Sequence, residues 1–267
     1  MRWFLAREAG GATAQTTATG FGSVVHALVA AVVTGEITPE ASALRAHLHQ
    51  AWHQLEFAVP WAGAAERVEA EAALERFVSW HLADRGREPL AVEHAFEVGF
   101  EVAGQRVQLR GSMDRVEVDA EGGVVVVDFK TGRVVPRQAD IVEHPQLGTY
   151  QLAVRHGAVD DLLPGSTRLG GAELVQLRST VRGAVKVQHQ PALADDSFAQ
   201  QQLGSVVATL RGEDFTATAG GHCGRCEFSA CCPARAEGAS LLSDDRADGA
   251  HGSARAERPS ADGVDDA

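Results

Sequence analysis

The stretch "GSMDRVEVDAEGGVVVVDFKTG" (111–132) decides how this 267-residue chain is read. "DAEGG" (119–123) is a turn centred on Glu121, with an apolar strand pattern on each side. In an antiparallel hairpin, residues equidistant from the turn centre face each other. Asp114 lies seven residues before Glu121 and Asp128 seven after it. The spacing predicts that their side chains oppose each other on one face, with Cβ atoms about 4.5–5.5 Å apart. The two-residue period of a strand puts Lys130 on that face as well.

The surroundings make this pair costly. "VVVVDF" (124–129) is apolar on both faces, the mark of a central buried strand. Val116, Val118, Val124 and Val126 share the face of the two acids. Unpaired carboxylates there would repel each other and resist desolvation. A divalent cation relieves both problems, and carboxylate oxygens are hard ligands suited to Mg²⁺ or Mn²⁺. Such a metal polarises a phosphoryl group and activates water, while a lysine steadies developing charge. The plainer alternative is a buried Asp–Lys ion pair with Asp114 paired to Arg115 or Arg110. Spacing alone leaves both open.

Outward from the hairpin, "FGSVVHALVAAVVTG" (21–35) reads as a buried helix ending at Gly35. Residues 64–84, rich in Ala, Glu and Leu, predict a second helix. Val92, Phe96, Val98, Phe100 and Val102 mark a strand that turns near Gly104 into Val107 and Leu109. Pro145 opens a helix to about Val154, "AELVQLR" (172–178) is a further strand, and 195–211 a last helix. Helices before, around and after meandering strands predict an α/β fold, a mixed central sheet flanked by helices.

An apolar fraction of 45% supports a substantial core, and the formal net charge is −12. The tail from Ala236 holds eight acidic and three basic residues, so −7 of that charge belongs to the rest. This argues against strong autonomous binding to nucleic acid, where phosphate contacts dominate. No apolar run spans a bilayer, so no membrane role is expected. The N-terminus lacks a secretory pattern, and a cytoplasmic location is expected. No Walker motif occurs, which excludes an ATPase of this kind in the chain.

As a set, "FGSVVHAL", "GSMDRVEV…VVVVDFKTG" and "HPQLGTYQLAV" resemble the RecB-like branch of the PD-(D/E)XK nucleases. They look most like the C-terminal nuclease domains of AddB- and AdnA/AdnB-type helicase–nucleases. The resemblance covers roughly 1–235 and implies a restriction-endonuclease-like core. It divides the chain into a helical part (1–90), a catalytic core (91–212), a cysteine motif (221–235) and a disordered acidic tail (236–267). It implies Mg²⁺- or Mn²⁺-dependent DNA hydrolysis, by exonuclease action, with a helicase motor as partner in break repair. By the resemblance, His26, Asp114, Asp128 and the carbonyl of Phe129 hold the metal, and Lys130 is catalytic. Gln146 and Tyr150 match a Q-x-x-x-Y motif; four apart on a helix, they share one face. Glu93 is only a weak match to a strand acid. Met113 stands where the superfamily's name has proline, a departure shared by related RecB-like domains.

"HCGRCEFSACCP" (222–233) holds every cysteine of the chain. Clustered cysteines in a cytosolic chain point to metal rather than disulfides, and zinc is one candidate. Cys223, Cys226 and Cys232 resemble the late ligands of the family's [4Fe–4S] motif, with Cys231 as a bystander. The family's early cysteine has no counterpart here, so the cluster is incomplete in this chain. "MRWFLAREAGG" starts like the middle of a helix, and the missing ligand is expected just before Met1. A non-catalytic iron–sulfur or zinc scaffold of a repair complex is the alternative function.

Overall fold

The computed structural model describes residues 17–52, 60–165, 168–194, 197–213, 215–221 and 223–236. In chain order its elements are α1 (Thr17–Val33), α2 (Ala41–Trp52), α3 (Pro60–Leu82), β1 (Arg87–Val102), β2 (Gln105–Asp119), β3 (Val124–Lys130), α4 (Gln138–Ile141), α5 (Pro145–Arg155), β4 (Leu169–Val181), β5 (Ala184–Gln190) and α6 (Phe198–Gly212). All lie in one compact unit, Gln15–Glu213; the described residues after it belong to a second unit. No helix among the described residues is long and apolar enough to cross a membrane.

The sheet has the order β1-β2-β3-β4-β5, antiparallel except for the parallel pair β3–β4. Antiparallel neighbours need only tight turns, whereas the parallel pair requires a crossover, which α5 supplies. As a strand alternates, the valine run of β3 feeds two cores. Val125, Val127 and Phe129 pack with α1, α2 and α3, through Val25, Leu44, Leu74 and Phe77. Val124 and Val126 pack with α5 and the β1–β2 hairpin, through Leu147, Val154, Phe96 and Val98. The expected mixed sheet between helical layers is therefore what the chain forms, and the continuous apolar run is its central strand.

Some elements have no counterpart among the sequence expectations. Helix α2 buries Leu44, Leu48 and Trp52, a narrow stripe among Ala, Arg and His. Strand β5, "AVKVQHQ", carries polar residues on both faces, and its buried Gln188 and Gln190 hydrogen-bond to backbone carbonyls. Period-2 apolar patterning is limited to Val185 and Val187, and amide bonds take the place of packing at the buried glutamines. The short helix α4 buries only Ile141. The tail and the first 16 residues lie outside the described residues.

Phe77 ties one core together. It is fully buried, stacks on His81 (5.4 Å between ring centroids) and meets Phe129 edge-on (5.6 Å, 84°). Phe77→Ala is expected to cost about 3–5 kcal/mol, read as a lower midpoint in denaturant unfolding.

Candidate active site and metal centre

The hairpin closes through its turn chemistry. Asp119 Oδ1 accepts from the backbone N–H groups of Glu121 (3.1 Å) and Gly123 (2.6 Å). The ladder then pairs Val118 with Val124, Glu117 with Val125, Val116 with Val126 and Arg115 with Val127. Asp114 opposite Asp128 is the next step of this register. There the ladder gives way: the N–H of Phe129 donates to Asp114 Oδ2 at 2.7 Å. A side-chain carboxylate thus takes a strand donor, so the strands part without leaving that amide unsatisfied.

A second irregularity meets the first. On β1 and β2 the pairs Val92–Arg115 and His94–Met113 bracket Glu93 and Asp114. On β2 the residues packing in the α5-side core are odd-numbered at Val107, Leu109 and Met113, but even-numbered at Val116. Glu93 has φ 46°, a left-handed conformation that costs about 1–3 kcal/mol for such a residue. The kink turns its carboxylate towards Asp114 and His26.

His26 comes from α1. Its Nδ1 lies 3.5 Å from Asp114 Oδ2 and 3.9 Å from Glu93 Oε1. One ligand atom each from His26, Glu93 and Asp114 lies within 4.8 Å of the others, a group unique among the described residues. Helix α1 runs close to the end of β3, because a Cβ at Gly22 would sit 3.1 Å from Thr131 Oγ1. A larger residue at 22 would displace the helix that carries His26.

Asp128 sits in an adjoining network. Its Oδ1 accepts from Gln146 Nε2 (2.8 Å), and its Oδ2 lies 2.6 Å from Lys130 Nζ. Lys130 also donates to Gln146 Oε1 at 2.7 Å, and Gln146 Nε2 donates to Tyr150 Oη at 2.9 Å. Lysine can only donate, which fixes the orientation of the Gln146 amide. Asp128 Oδ2 is buried and has no partner in hydrogen-bonding geometry, despite its ion pair with Lys130.

The electrostatics follow from burial and crowding. Burial, then repulsion from Asp114, raises the Asp128 carboxyl to about 6, against the opposing pull of Lys130 and His26. Burial likewise raises Glu93, with repulsion from Asp114 adding to it. For His26 burial acts downward, but the hydrogen bond and charge of Asp114, with Glu93 and Asp128, prevail and raise it. Burial and the nearby acids push the Tyr150 hydroxyl up, so it stays protonated at neutral pH. Every shift reports negative charge crowded at a partly buried site, a setting that a divalent cation relieves. The donor set of carboxylate oxygens and one imidazole fits a hard or borderline cation.

Of the residues singled out in the sequence, the fold brings together His26, Asp114, Asp128, Lys130, Gln146 and Tyr150. The side chain of Phe129 points away into the core, edge-on to Trp80 at 5.3 Å. Neither arginine of the plainer alternative reaches Asp114: Arg115 pairs with Glu117 (2.6 Å) and Arg110 with Glu97 (2.8 Å). The Asp–Lys ion pair of that alternative is present. Glu93 is the residue whose place the sequence understates. Its one local signal is an acid inside a strand pattern, and nothing there announces the kink.

The four cysteines lie in the other unit, around two short 3₁₀ turns, Cys223–Arg225 and Ser229–Cys231. The N–H of Gly220 donates to Cys223 Sγ at 3.2 Å, whereas the Cys231 thiol donates to the carbonyl of Phe228 at 3.5 Å. Zinc–sulfur bonds of about 2.3 Å would hold thiolates within about 4 Å of one another. No three cysteine sulfurs form such a group among the described residues.

The mixed five-stranded sheet with flanking helices is that of an α/β nuclease fold. The chain belongs to the PD-(D/E)XK nuclease superfamily, whose family model matches residues 1–233. Members of this superfamily are usually nucleases that use Mg²⁺ or Mn²⁺. No curated protein matches the chain. Among solved structures, one titled "Crystal structure of SSO0001" is similar at 13% identity over 87% of this chain and 93% of its own, with a TM-score of 0.35.

Metal binding should compete with protons. Ligation by these residues would require ionised Asp128 and neutral His26, and both hold protons more tightly than usual. Titration calorimetry with Mn²⁺ is expected to show affinity falling at least ~10-fold per pH step below about 6. A flat profile from pH 5 to 7.5 would contradict this site.

Proposed function

We propose that this chain is a metal-dependent DNA nuclease domain of the RecB-like kind, working as an exonuclease beside a helicase motor in break repair. The observation that carries this reading is the meeting of the His26–Glu93–Asp114 group with the Asp128–Lys130–Gln146 network at the end of a buried hairpin. His26, Asp114 and Asp128 hold Mg²⁺ or Mn²⁺, with Glu93 added to that set. The backbone carbonyl of Phe129 is a further ligand, its side chain serving only as an anchor in the core. The metal supplies Lewis-acid activation of the phosphoryl group and of water.

The chain's own residues do the rest. Lys130 steadies charge developing on the scissile phosphate or orients the nucleophile. Gln146 spans Asp128 and Lys130 and keeps both in place. Tyr150, protonated and hydrogen-bonded to Gln146, closes that side of the site. The body's net negative charge leaves DNA holding to the motor. In domain terms, residues 1–235 form the nuclease module and 236–267 an acidic tail.

On linear DNA with Mg²⁺ or Mn²⁺, the wild-type chain is expected to release nucleotides. Asp128→Ala and Lys130→Ala are each expected to lower the rate by at least ~100-fold, and Glu93→Gln by about 10-fold. Retained folding is checked by circular dichroism. No metal-dependent cleavage by the wild type, with or without a helicase partner, would leave the scaffold reading standing instead.

In the second unit we assign Cys223, Cys226 and Cys232 to a [4Fe–4S] cluster. The N–H···S bond at Cys223 suits a thiolate, and the donating thiol of Cys231 suits a bystander. Three thiolates leave one iron position to another ligand. Anaerobic reconstitution with iron and sulfide should give absorbance near 400 nm that Cys226→Ser abolishes and Cys231→Ser preserves. Zinc uptake without colour would decide against the cluster.

A further inference from the structure

A second cleft shares no residue with the acid cluster. It lies between α3 and the β4–β5 hairpin, measures about 740 Å³, and is lined by Arg76, Arg85, Arg87, Trp80, Val185 and Val187, with Glu75, Glu173 and several small residues. That volume falls within the range of small-molecule sites. The walls stay open because Ala72, Ala83, Gly183 and Ala184 line it without filling it.

Beneath the cleft lies a buried charge network. Glu117, with no exposed surface, receives Arg85 (2.5 Å) and Arg115 (2.6 Å), while Arg87 donates to Glu173 at 2.9 Å. Arg115 also donates to His81 Nδ1 (3.0 Å), and burial with the nearby Arg115 and Arg85 holds that imidazole down at about 4, hence neutral. Arg76 bonds only to the carbonyl of Leu177 (2.7 Å), and Glu75 is taken by Arg45. The lining of the cleft thus sets Arg76, Arg85 and Arg87 against Glu75 and Glu173, an excess of one positive charge in a chain of net −12.

Several donors of this network are unused. Arg85 Nε and Trp80 Nε1 are buried without hydrogen-bond partners, and Trp80 is only 6% exposed, whereas Arg87 Nη1 faces Glu117 Oε2 at 3.8 Å. Buried donors are rarely left unmatched, and each costs about 1–3 kcal/mol in that state. The Trp80 ring is covered by Arg85 at 3.7 Å and meets Phe129 edge-on, so it offers an edge and not a stacking face.

We infer that this cleft binds a phosphomonoester of mononucleotide size. A phosphomonoester carries about −1.5 to −2 at neutral pH, opposite in sign to the net charge of the lining. Its three acceptor oxygens suit guanidinium donors, with Arg76 as the principal contact. Val185 and Val187 offer an apolar wall to the remainder of the ligand. The choice of a nucleotide as carrier rests on the nuclease reading; the phosphate site itself does not. A free 5′-mononucleotide and the 5′-phosphate of a DNA strand present the same group.

The test is calorimetric titration in metal-free buffer, where no cleavage occurs. The probes are inorganic phosphate, deoxyadenosine 5′-monophosphate, and one short single strand with and without a 5′-phosphate. Saturable binding of the mononucleotide is expected, with Kd at or below about 1 mM. Preference for the phosphorylated over the hydroxyl strand assigns the site to strand ends, and binding of the free nucleotide alone assigns it to that source. Arg76→Gln and Ala184→Leu are each expected to weaken binding ~10-fold while leaving cleavage unchanged. Asp128→Asn should abolish cleavage and leave binding intact, which separates this site from the catalytic one. No saturation by any probe to about 10 mM, or equal binding by both cleft variants, overturns the proposal.

Discussion

The mutual repulsion of Asp114 and Asp128 is the constraint around which this structure is arranged. Their hairpin register sets them opposite each other, and the central position of β3 removes water from one of them. Carboxylates so placed cannot both ionise freely, and burial with repulsion lifts Asp128 to about 6. The neighbouring groups respond to this. Phe129 gives a backbone N–H to Asp114, Gln146 an amide N–H to Asp128, and Lys130 an ammonium. His26 approaches from the other side of the hairpin's end.

The two cores explain why the site keeps its shape despite that repulsion. Phe129, between Asp128 and Lys130, anchors the strand among Phe77 and Trp80. The valines before it are locked into both layers. Packing of this kind is worth several kcal/mol per large side chain, enough to carry the unfavourable charge. The same logic covers the left-handed backbone at Glu93. Strain of about 1–3 kcal/mol survives where the pairs on either side, Val92–Arg115 and His94–Met113, hold the chain in place.

What could be read from the sequence follows from which forces have a short-range signature. Turn chemistry at 119–123 and the valine run fixed the opposition of Asp114 and Asp128 in advance, because hairpin register is a local property. The i, i+4 spacing of Gln146 and Tyr150 likewise placed both on one face, where they hydrogen-bond. Strand β5 stayed hidden because its buried glutamines are satisfied by backbone carbonyls 40 or more residues away, at Ile141 and Pro136. The place of Glu93 stayed hidden for a related reason. A one-residue change of facing in two paired strands depends on how they cross α1 and α5, and no local pattern encodes it.

The Lys130 ion pair shows how the Asp128 carboxylate is held. Asp128 Oδ2 faces Lys130 at 2.6 Å, so the lysine supplies the positive charge that a divalent cation would otherwise provide. Lysine is a point charge on a flexible stem, and here it is a third exposed, so it can be displaced without breaking the core. Its second bond, to Gln146 Oε1, gives it somewhere to remain. Gln146 in turn stays bound to Asp128 Oδ1 and Tyr150, which keeps the amide from rotating. Under the proposed function, a cation on Asp128 Oδ2 would leave the Lys130 ammonium free to meet an anionic substrate. On that proposal, the Asp–Lys pair and a metal site, which look like competing readings of one D-x-K string, would draw on the same side chains, Asp128, Lys130 and Gln146.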